Sequence, residues 1–238
     1  MVIGIEKYAN LPTAEHAERD AAAVRTHLSA LGYPDRNIIY LTGGQASKAG
    51  FEKYLEAWLP RNLRETSKLF VYFSGHGAPD IQTAEAYLVP QDGDAKFIET
   101  TGYSVRRLYE KLNALKARQI IVAMDACFSG AGGRSVLAKG VRPLVTKIDT
   151  GADRAGRLTV LAAAGSDEFT GTDDAQGHGL FTYHLLHALN QAQGTITVKN
   201  LYDDLLPRVQ DAARRDNRDQ TPQWLHPHCS DAAGLSLR

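Results

Sequence analysis

Cysteine is scarce in this chain of 238 residues: only Cys127 and Cys229 occur. Two thiols so far apart make no disulfide framework, which fits a reducing compartment and an expected cytoplasmic location. An excess of either charge is also missing. Lys+Arg and Asp+Glu each number 27, for a formal net charge of zero. No global field would then draw in nucleic acid or an anionic membrane surface, and neither is expected as a partner. No apolar run approaches the roughly 18 residues that a membrane span needs. The opening Met1-Val-Ile-Gly-Ile-Glu6 has neither a basic region nor a cleavage-site pattern, so no signal peptide is expected. Internal repeats and low-complexity tracts are absent too. What is present is an ordinary apolar content of 43%, enough to bury the core of one large domain. The chain opens almost inside its first strand, which suits a catalytic domain cut from a longer protein as well as a short natural terminus.

Two short apolar runs carry most of the information. Leu69-Phe-Val-Tyr-Phe-Ser-Gly-His76-Gly77 and Ile120-Ile-Val-Ala-Met-Asp125-Ala-Cys127-Phe-Ser-Gly130 each end abruptly in a reactive side chain. Both are too short for an ordinary helix and rich in β-branched and aromatic residues. They read as buried parallel strands. Ligands of open α/β sheets sit outside the carboxyl ends of the strands. Side by side, these strands would bring an imidazole and a thiol to one rim.

The rest of the pattern supports that sheet. Strands are predicted at 2–8, 37–41, 86–89 and 158–164, and helices at 15–31, 47–63, 104–115, 179–189 and 198–213. Pro207 stands where it would interrupt the last helix. The alternation argues for an α/β fold with a central, mostly parallel sheet of about six strands and helices on both faces. Residues 131–157 hold many Gly and charged residues and little periodicity, and read as a mobile loop open to proteolysis. The last twenty-five residues or so are polar, with Trp224 their one large apolar anchor.

A thiol becomes a good nucleophile when a nearby imidazole favours the thiolate. His76 sits between glycines, which let the backbone turn sharply and approach a substrate. The N–H groups of Gly77 and Cys127 are candidate donors to a developing oxyanion. The separation, 127 − 76 = 51 residues, leaves room for one hairpin and one crossover helix between adjacent strands. Either residue alone is more readily explained as a buried thiol or a satisfied histidine. Their joint placement at two strand ends is what points to catalysis.

Tyr-Phe-Ser-Gly-His76-Gly77 and Asp125-Ala-Cys127-Phe-Ser-Gly130 resemble the two signatures of the caspase-like cysteine peptidases, most closely the metacaspase and bacterial caspase-homologue branch. Supporting segments match in order: Val2-Ile-Gly-Ile-Glu-Lys-Tyr8, Arg19-Asp20-Ala21, Leu31-Gly-Tyr33, Leu88-Val-Pro90 and Gly177-His-Gly-Leu-Phe-Thr-Tyr183. The resemblance covers about residues 1–225. It implies a three-layer α/β/α sandwich over 1–238, with a large p20-like portion (1–130), a linker that doubles as a processing loop (131–157) and a small p10-like portion (158–238). It further implies peptide-bond hydrolysis through a thioester, with Cys127 as nucleophile and His76 as general acid and base. No third catalytic residue is required.

Caspases carry Gln two residues before the cysteine, whereas this chain has Asp125, as metacaspases do. Asp20 matches a second acid of the metacaspase pocket. Two converging carboxylates favour Arg, and also Lys, at the P1 position of a protein or peptide substrate. By position in the family, main-chain groups of Ala163, Ala164, Gly165 and Ser166 would hold the peptide as an added strand. Self-processing would follow a basic residue of the linker, among them Arg134, Lys139, Arg142, Lys147 and Arg154.

Many metacaspases need calcium. Asp92 and Asp94 are at hand, but Phe128-Ser-Gly-Ala-Gly-Gly-Arg134 has no carboxylate, so no metal and no cofactor is expected. His178, between Gly177 and Gly179, copies the setting of His76 but reads as structural or capping because a helix follows it. His16, His184, His187, His226 and His228 lack a strand-end placement, and His184 with His187 makes a weak zinc pair. Tyr8, Phe51, Tyr54 and Trp58 read as packing residues. The rival readings are a catalytically silent caspase-fold scaffold or regulatory binding module, a receiver-like or nucleotide-binding domain, against which the missing phosphate-binding glycine fingerprint argues, and cleavage after Asp. A monomer is expected.

Overall fold

Branched and aromatic residues in short runs build strands, and their alternation decides which face each side chain joins. The computed structural model describes residues 1–80, 82–83, 85–128, 157–165, 168–193 and 195–225. In chain order the elements up to residue 128 are β1 (Val2–Gly4), α1 (Ala17–Ala30), β2 (Tyr40–Thr42), α2 (Lys48–Glu52), a π-helical stretch (Lys53–Trp58), α3 (Leu59–Asn62), β3 (Lys68–Ser74), β4 (Gly77–Pro79), β5 (Ala86–Leu88), α4 (Ile98–Thr101), β6 (Tyr103–Ser104), α5 (Val105–Ala114) and β7 (Gln119–Asp125). From residue 157 onward come β8 (Leu158–Ala162), β9 (Thr172–Asp173), β10 (His178–Gly179), α6 (Leu180–Gln191), α7 (Val198–Arg215) and β11 (Gln223–Leu225). Residues 129–156, Ser166, His226, His228 and Cys229 lie outside the described residues, and so does nearly all of the proposed processing loop.

The main sheet has six strands in the order β11-β8-β7-β3-β1-β2. All neighbours run parallel except β11, which pairs antiparallel with β8. Two cores flank it. Leu69, Val71, Phe73, Ile120, Val122 and Met124 face one side, under Phe51, Leu55, Leu59, Leu108 and Leu112 of the helices from α2 to α5. Val2, Tyr72, Ile121 and Ala123 face the other, under Val24 and Leu28 of α1, Phe181 and Leu185 of α6, and Leu201 and Leu205 of α7. This is the three-layer α/β/α sandwich that the sequence implies. A buried side chain of this size contributes about 1.5–3 kcal/mol, so the two faces together outweigh any surface ion pair.

Several predicted boundaries move. The strand expected over 2–8 ends at Gly4, which releases residues 5–16 as a long loop. The strand expected over 158–164 ends at Ala162. Pro207 does not interrupt α7, which runs unbroken from Val198 to Arg215. A proline removes one N–H, and the buried stripe of Val198, Leu201, Leu205, Val209 and Ala213 holds the helix together across it. The polar tail supplies β11, a strand too short for periodicity to reveal. β4, β5 and β6 form a separate antiparallel sheet after the His76 strand. Among the described residues no helix is long and apolar enough to cross a membrane.

Candidate active site

Strand register brings the two reactive residues to one level. Ser74 of β3 pairs with Asp125 of β7 as the last pair of their ladder. His76 and Cys127 each follow two residues later, just beyond the ends of these neighbouring strands. The crossing is tight: a Cβ on Gly77 would lie 2.6 Å from the carbonyl oxygen of Cys127. Only glycine fits there. β2 extends the sheet on one side of β1 and β3 on the other, so the winding reverses between β1 and β3. Such a switch point is where open α/β sheets form their ligand crevice.

The loop after β1 reaches across that point and holds the imidazole. His76 is buried, and its Nε2 lies 2.7 Å from the carbonyl oxygen of Pro12. A carbonyl only accepts, so Nε2 carries hydrogen, and in the neutral ring Nδ1 is left as the base. The backbone N–H of His76 donates to the Tyr8 hydroxyl at 2.7 Å, and the two ring centroids are 4.6 Å apart. Tyr8 is therefore a hydrogen-bond partner of the site as well as a packing residue. Pro12 gave no sequence signal, because a backbone carbonyl has no residue signature.

Cys127 is buried, and its Sγ lies 3.5 Å from the carbonyl oxygen of Glu168, to which the thiol donates. The carboxylate of Glu168 accepts from the N–H of Gly165 at 3.1 Å and from that of Thr221 at 2.5 Å. That ties the chain beyond β8 to the segment leading into β11.

Asp20 and Asp125 are both fully buried, next to β3 and β7. Asp20 lies in the first turn of α1 and accepts from Ser74 Oγ at 3.2 Å and from the Gly179 N–H at 3.1 Å. His178 Nδ1 is 2.8 Å from Asp20 Oδ1. Asp125 Oδ2 accepts from Thr182 Oγ1 at 2.6 Å and from the Thr182 N–H at 3.3 Å. Thr182 Oγ1 is in turn 2.6 Å from the Tyr72 hydroxyl. With its one hydrogen given to the carboxylate, Thr182 must accept from Tyr72. The two acids, from α1 and from the end of β7, thus flank one region where β3, β7 and the start of α6 meet. Ser74, Thr182 and Tyr72 support them. None of these three stood out in the sequence, where each looks like an ordinary strand or helix residue.

Ala163 continues the β7–β8 ladder, its N–H donating to the Met124 carbonyl at 2.9 Å. Its own carbonyl accepts from Gln220 Nε2 at 3.1 Å. β11 covers the outer edge of β8 at Val160, Leu161 and Ala162. The positions read for substrate pairing, Ala163, Ala164 and Gly165, begin where β11 leaves off. Trp224 of β11, the apolar anchor of the tail, pairs with Leu161 of β8 and packs against Tyr202.

His178 precedes α6 and also sets its Nδ1 against the Asp20 carboxylate. His16 pairs with Asp174 at 3.3 Å. Together with Glu15 they form the one cluster of three potential metal-ligating side chains found among the described residues. Asp92 and Asp94 are not part of it. Each accepts a backbone N–H, from Lys48 at 2.9 Å and from Lys96 at 2.8 Å respectively, and so serves a helix start. Burial lowers the pKa of His27, whose Nδ1 is 2.6 Å from Asn190 Oδ1. His184 is lowered too, by burial first and then by Arg208 and His187.

Comparison with known proteins agrees with this fold. The family model described as a caspase domain matches residues 1–232. Protein GSU0716 from Geobacter sulfurreducens superposes with a TM-score of 0.65 at 16% identity, over 97% of this chain and 94% of that one. Caspase-1 from Spodoptera frugiperda superposes with a TM-score of 0.67 at 14% identity, over 94% of this chain and 84% of that one. No curated protein matches the chain by sequence.

Proposed function

The chain belongs to the caspase-domain family of cysteine peptidases, and from that premise we propose an endopeptidase that cuts after a basic P1 residue, Arg or Lys. The observation that carries the reading is the shared register of His76 and Cys127 beyond the Ser74–Asp125 pair, with Pro12 fixing the imidazole. His76 Nδ1 takes the thiol proton, and the sulfur attacks the P1 carbonyl carbon. The N–H groups of Gly77 and Cys127 receive the oxyanion. His76 then gives its proton to the departing amine, leaving a thioester. Water attacks the thioester as His76 removes its proton, and the acid and the free thiol are released.

Asp20 and Asp125 form the acidic floor of the primary pocket. Their full burial and their anchoring by Ser74, Gly179 and Thr182 would fix carboxylates against a guanidinium. Of the four residues from Ala163 to Ser166, Ala164 and Ser166 are the main-chain partners proposed for the peptide, because Ala163 and Gly165 already spend theirs on Met124, Gln220 and Glu168. Cleavage of the enzyme's own linker after a basic residue is a further consequence of that specificity, and calcium is not required.

Fluorogenic peptides that differ only at P1, as Arg, Lys or Asp, test the reading with and without calcium. Turnover of the Arg and Lys peptides, absent in Cys127→Ala, is expected. Turnover of the Asp peptide alone would overturn the basic preference. Identical bands for wild type and Cys127→Ala on a denaturing gel would rule out self-cleavage.

A further inference from the structure

The buried carboxylate of Asp20 has a titratable neighbour that the reaction itself does not use. His178 Nδ1 stands 2.8 Å from Asp20 Oδ1, and the Gly179 N–H reaches the same carboxylate at 3.1 and 3.2 Å. Asp20 is fully buried, while the His178 side chain is 18% exposed. The carboxylate is thus shut off from water, and the imidazole can exchange a proton with it. That combination lets solvent pH reach a buried charge through one ring.

We propose that His178 is a proton-operated counter-ion of Asp20, which weakens capture of a basic P1 side chain when protonated and releases the carboxylate's charge to the substrate when neutral. The inference rests on the basic-P1 reading and adds a regulating residue to that pocket. Neutral His178 donates its Nδ1–H to Asp20 and leaves the net charge of the pair negative. Protonated His178 neutralises the pair before a guanidinium arrives. Substrate cation and imidazolium then compete for one carboxylate, and each lowers the affinity of the other by the same factor.

Other charged and titratable groups also face His178. Asp173 lies across from it in the β9–β10 pair. Arg19 of α1 packs its guanidinium directly against Gly177. Those two are fixed charges of opposite sign. His178 also lines a cavity of about 610 Å³ with His27, Tyr183 and His187. Burial holds His27 toward its neutral form. Two cations competing for one buried carboxylate weaken each other's binding on the order of tenfold.

His178 acts through Asp20 and is a positioning residue, so its test reads pH dependence. Cys127→Ala protein is titrated calorimetrically with a peptide ending in Arg at P1 and with the same peptide carrying citrulline, which is neutral and similar in shape. Measurements at about pH 5.5 and about pH 8 bracket the ordinary histidine range. The Arg peptide is expected to bind on the order of tenfold tighter at the higher pH and to release protons on binding, shown by two buffers of different ionisation heat. The citrulline peptide lacks only the P1 charge and should show neither effect. Adding His178→Asn keeps an amide donor near Asp20 and should flatten the Arg profile. An Arg profile that is flat in the parent, or unchanged in His178→Asn, overturns the proposal alone. If that variant does not fold, the parent's proton release and the citrulline contrast still decide. Equal binding of the two peptides at about pH 8 overturns the basic-P1 reading and the proposal with it.

Discussion

The Tyr8 hydroxyl accepts the backbone N–H of His76 at 2.7 Å, while Pro12, four residues further along the same loop, accepts from the imidazole Nε2 at 2.7 Å. One loop therefore grips His76 by its main chain and by its ring. Tyr8→Phe keeps the ring contact and strands a buried N–H, which costs about 1–3 kcal/mol. Stability should fall by that amount. Turnover of an Arg peptide should fall on the order of tenfold with little change in KM, because the loss is in aiming the base. Steady-state kinetics beside urea unfolding checks both. A large rise in KM with kcat intact would argue against a positioning role.

Thr182 relays Tyr72 to Asp125 through one hydroxyl. Thr182→Val is close in shape and removes both hydrogen bonds, leaving a buried carboxylate short of its strongest donor. The expected cost is about 1–3 kcal/mol in stability, with KM for Arg peptides changed more than kcat. Equal KM for variant and wild type would place Asp125 outside the substrate pocket.

Leu108 is 1% exposed in the core beneath the helices on one sheet face. Leu108→Ala should cost about 2–5 kcal/mol, read as a lower denaturation midpoint with an unchanged slope. A loss under about 0.5 kcal/mol, the range of ordinary surface changes, would contradict the packing described for α5.

His27 is buried with its pKa below the ordinary histidine value of 6.5. In the unfolded chain it binds its proton near that value, and in the folded chain only at lower pH. The unfolded state therefore holds more protons between the two pKa values, and stability falls as pH drops from about 7 through that window. His184 shifts in the same direction and adds to the trend. His27→Gln should make the fall between about pH 7 and about pH 5.5 shallower, measured by urea unfolding at each pH. An unchanged slope would assign the acid sensitivity elsewhere.

Much of the architecture is legible in the sequence. The apolar runs ending in His76 and Cys127 are buried on both faces, so they carry an uninterrupted strand signal. α1, α5, α6 and α7 carry helical periodicity. β11 and the β9–β10 pair escaped because three and two residues, respectively, are too few to show a period. The dyad candidates were visible because reactive side chains interrupt apolar strands. Their supports were not. Pro12 contributes a carbonyl, Tyr8 and Thr182 contribute hydroxyls from positions that look like packing, and His178 reaches Asp20 across 158 residues of sequence. Only the folded chain brings these together.

The most direct measurement is covalent labelling by a peptidyl-arginine acyloxymethyl ketone, with the modified residue mapped by mass spectrometry and the rate followed over time. Modification at Cys127 and not at Cys229 is expected, with a rate lowered by about 10²-fold or more in His76→Ala, the scale of a lost general base. Labelling that spares Cys127, or that proceeds equally fast without His76, would contradict a working cysteine–histidine pair.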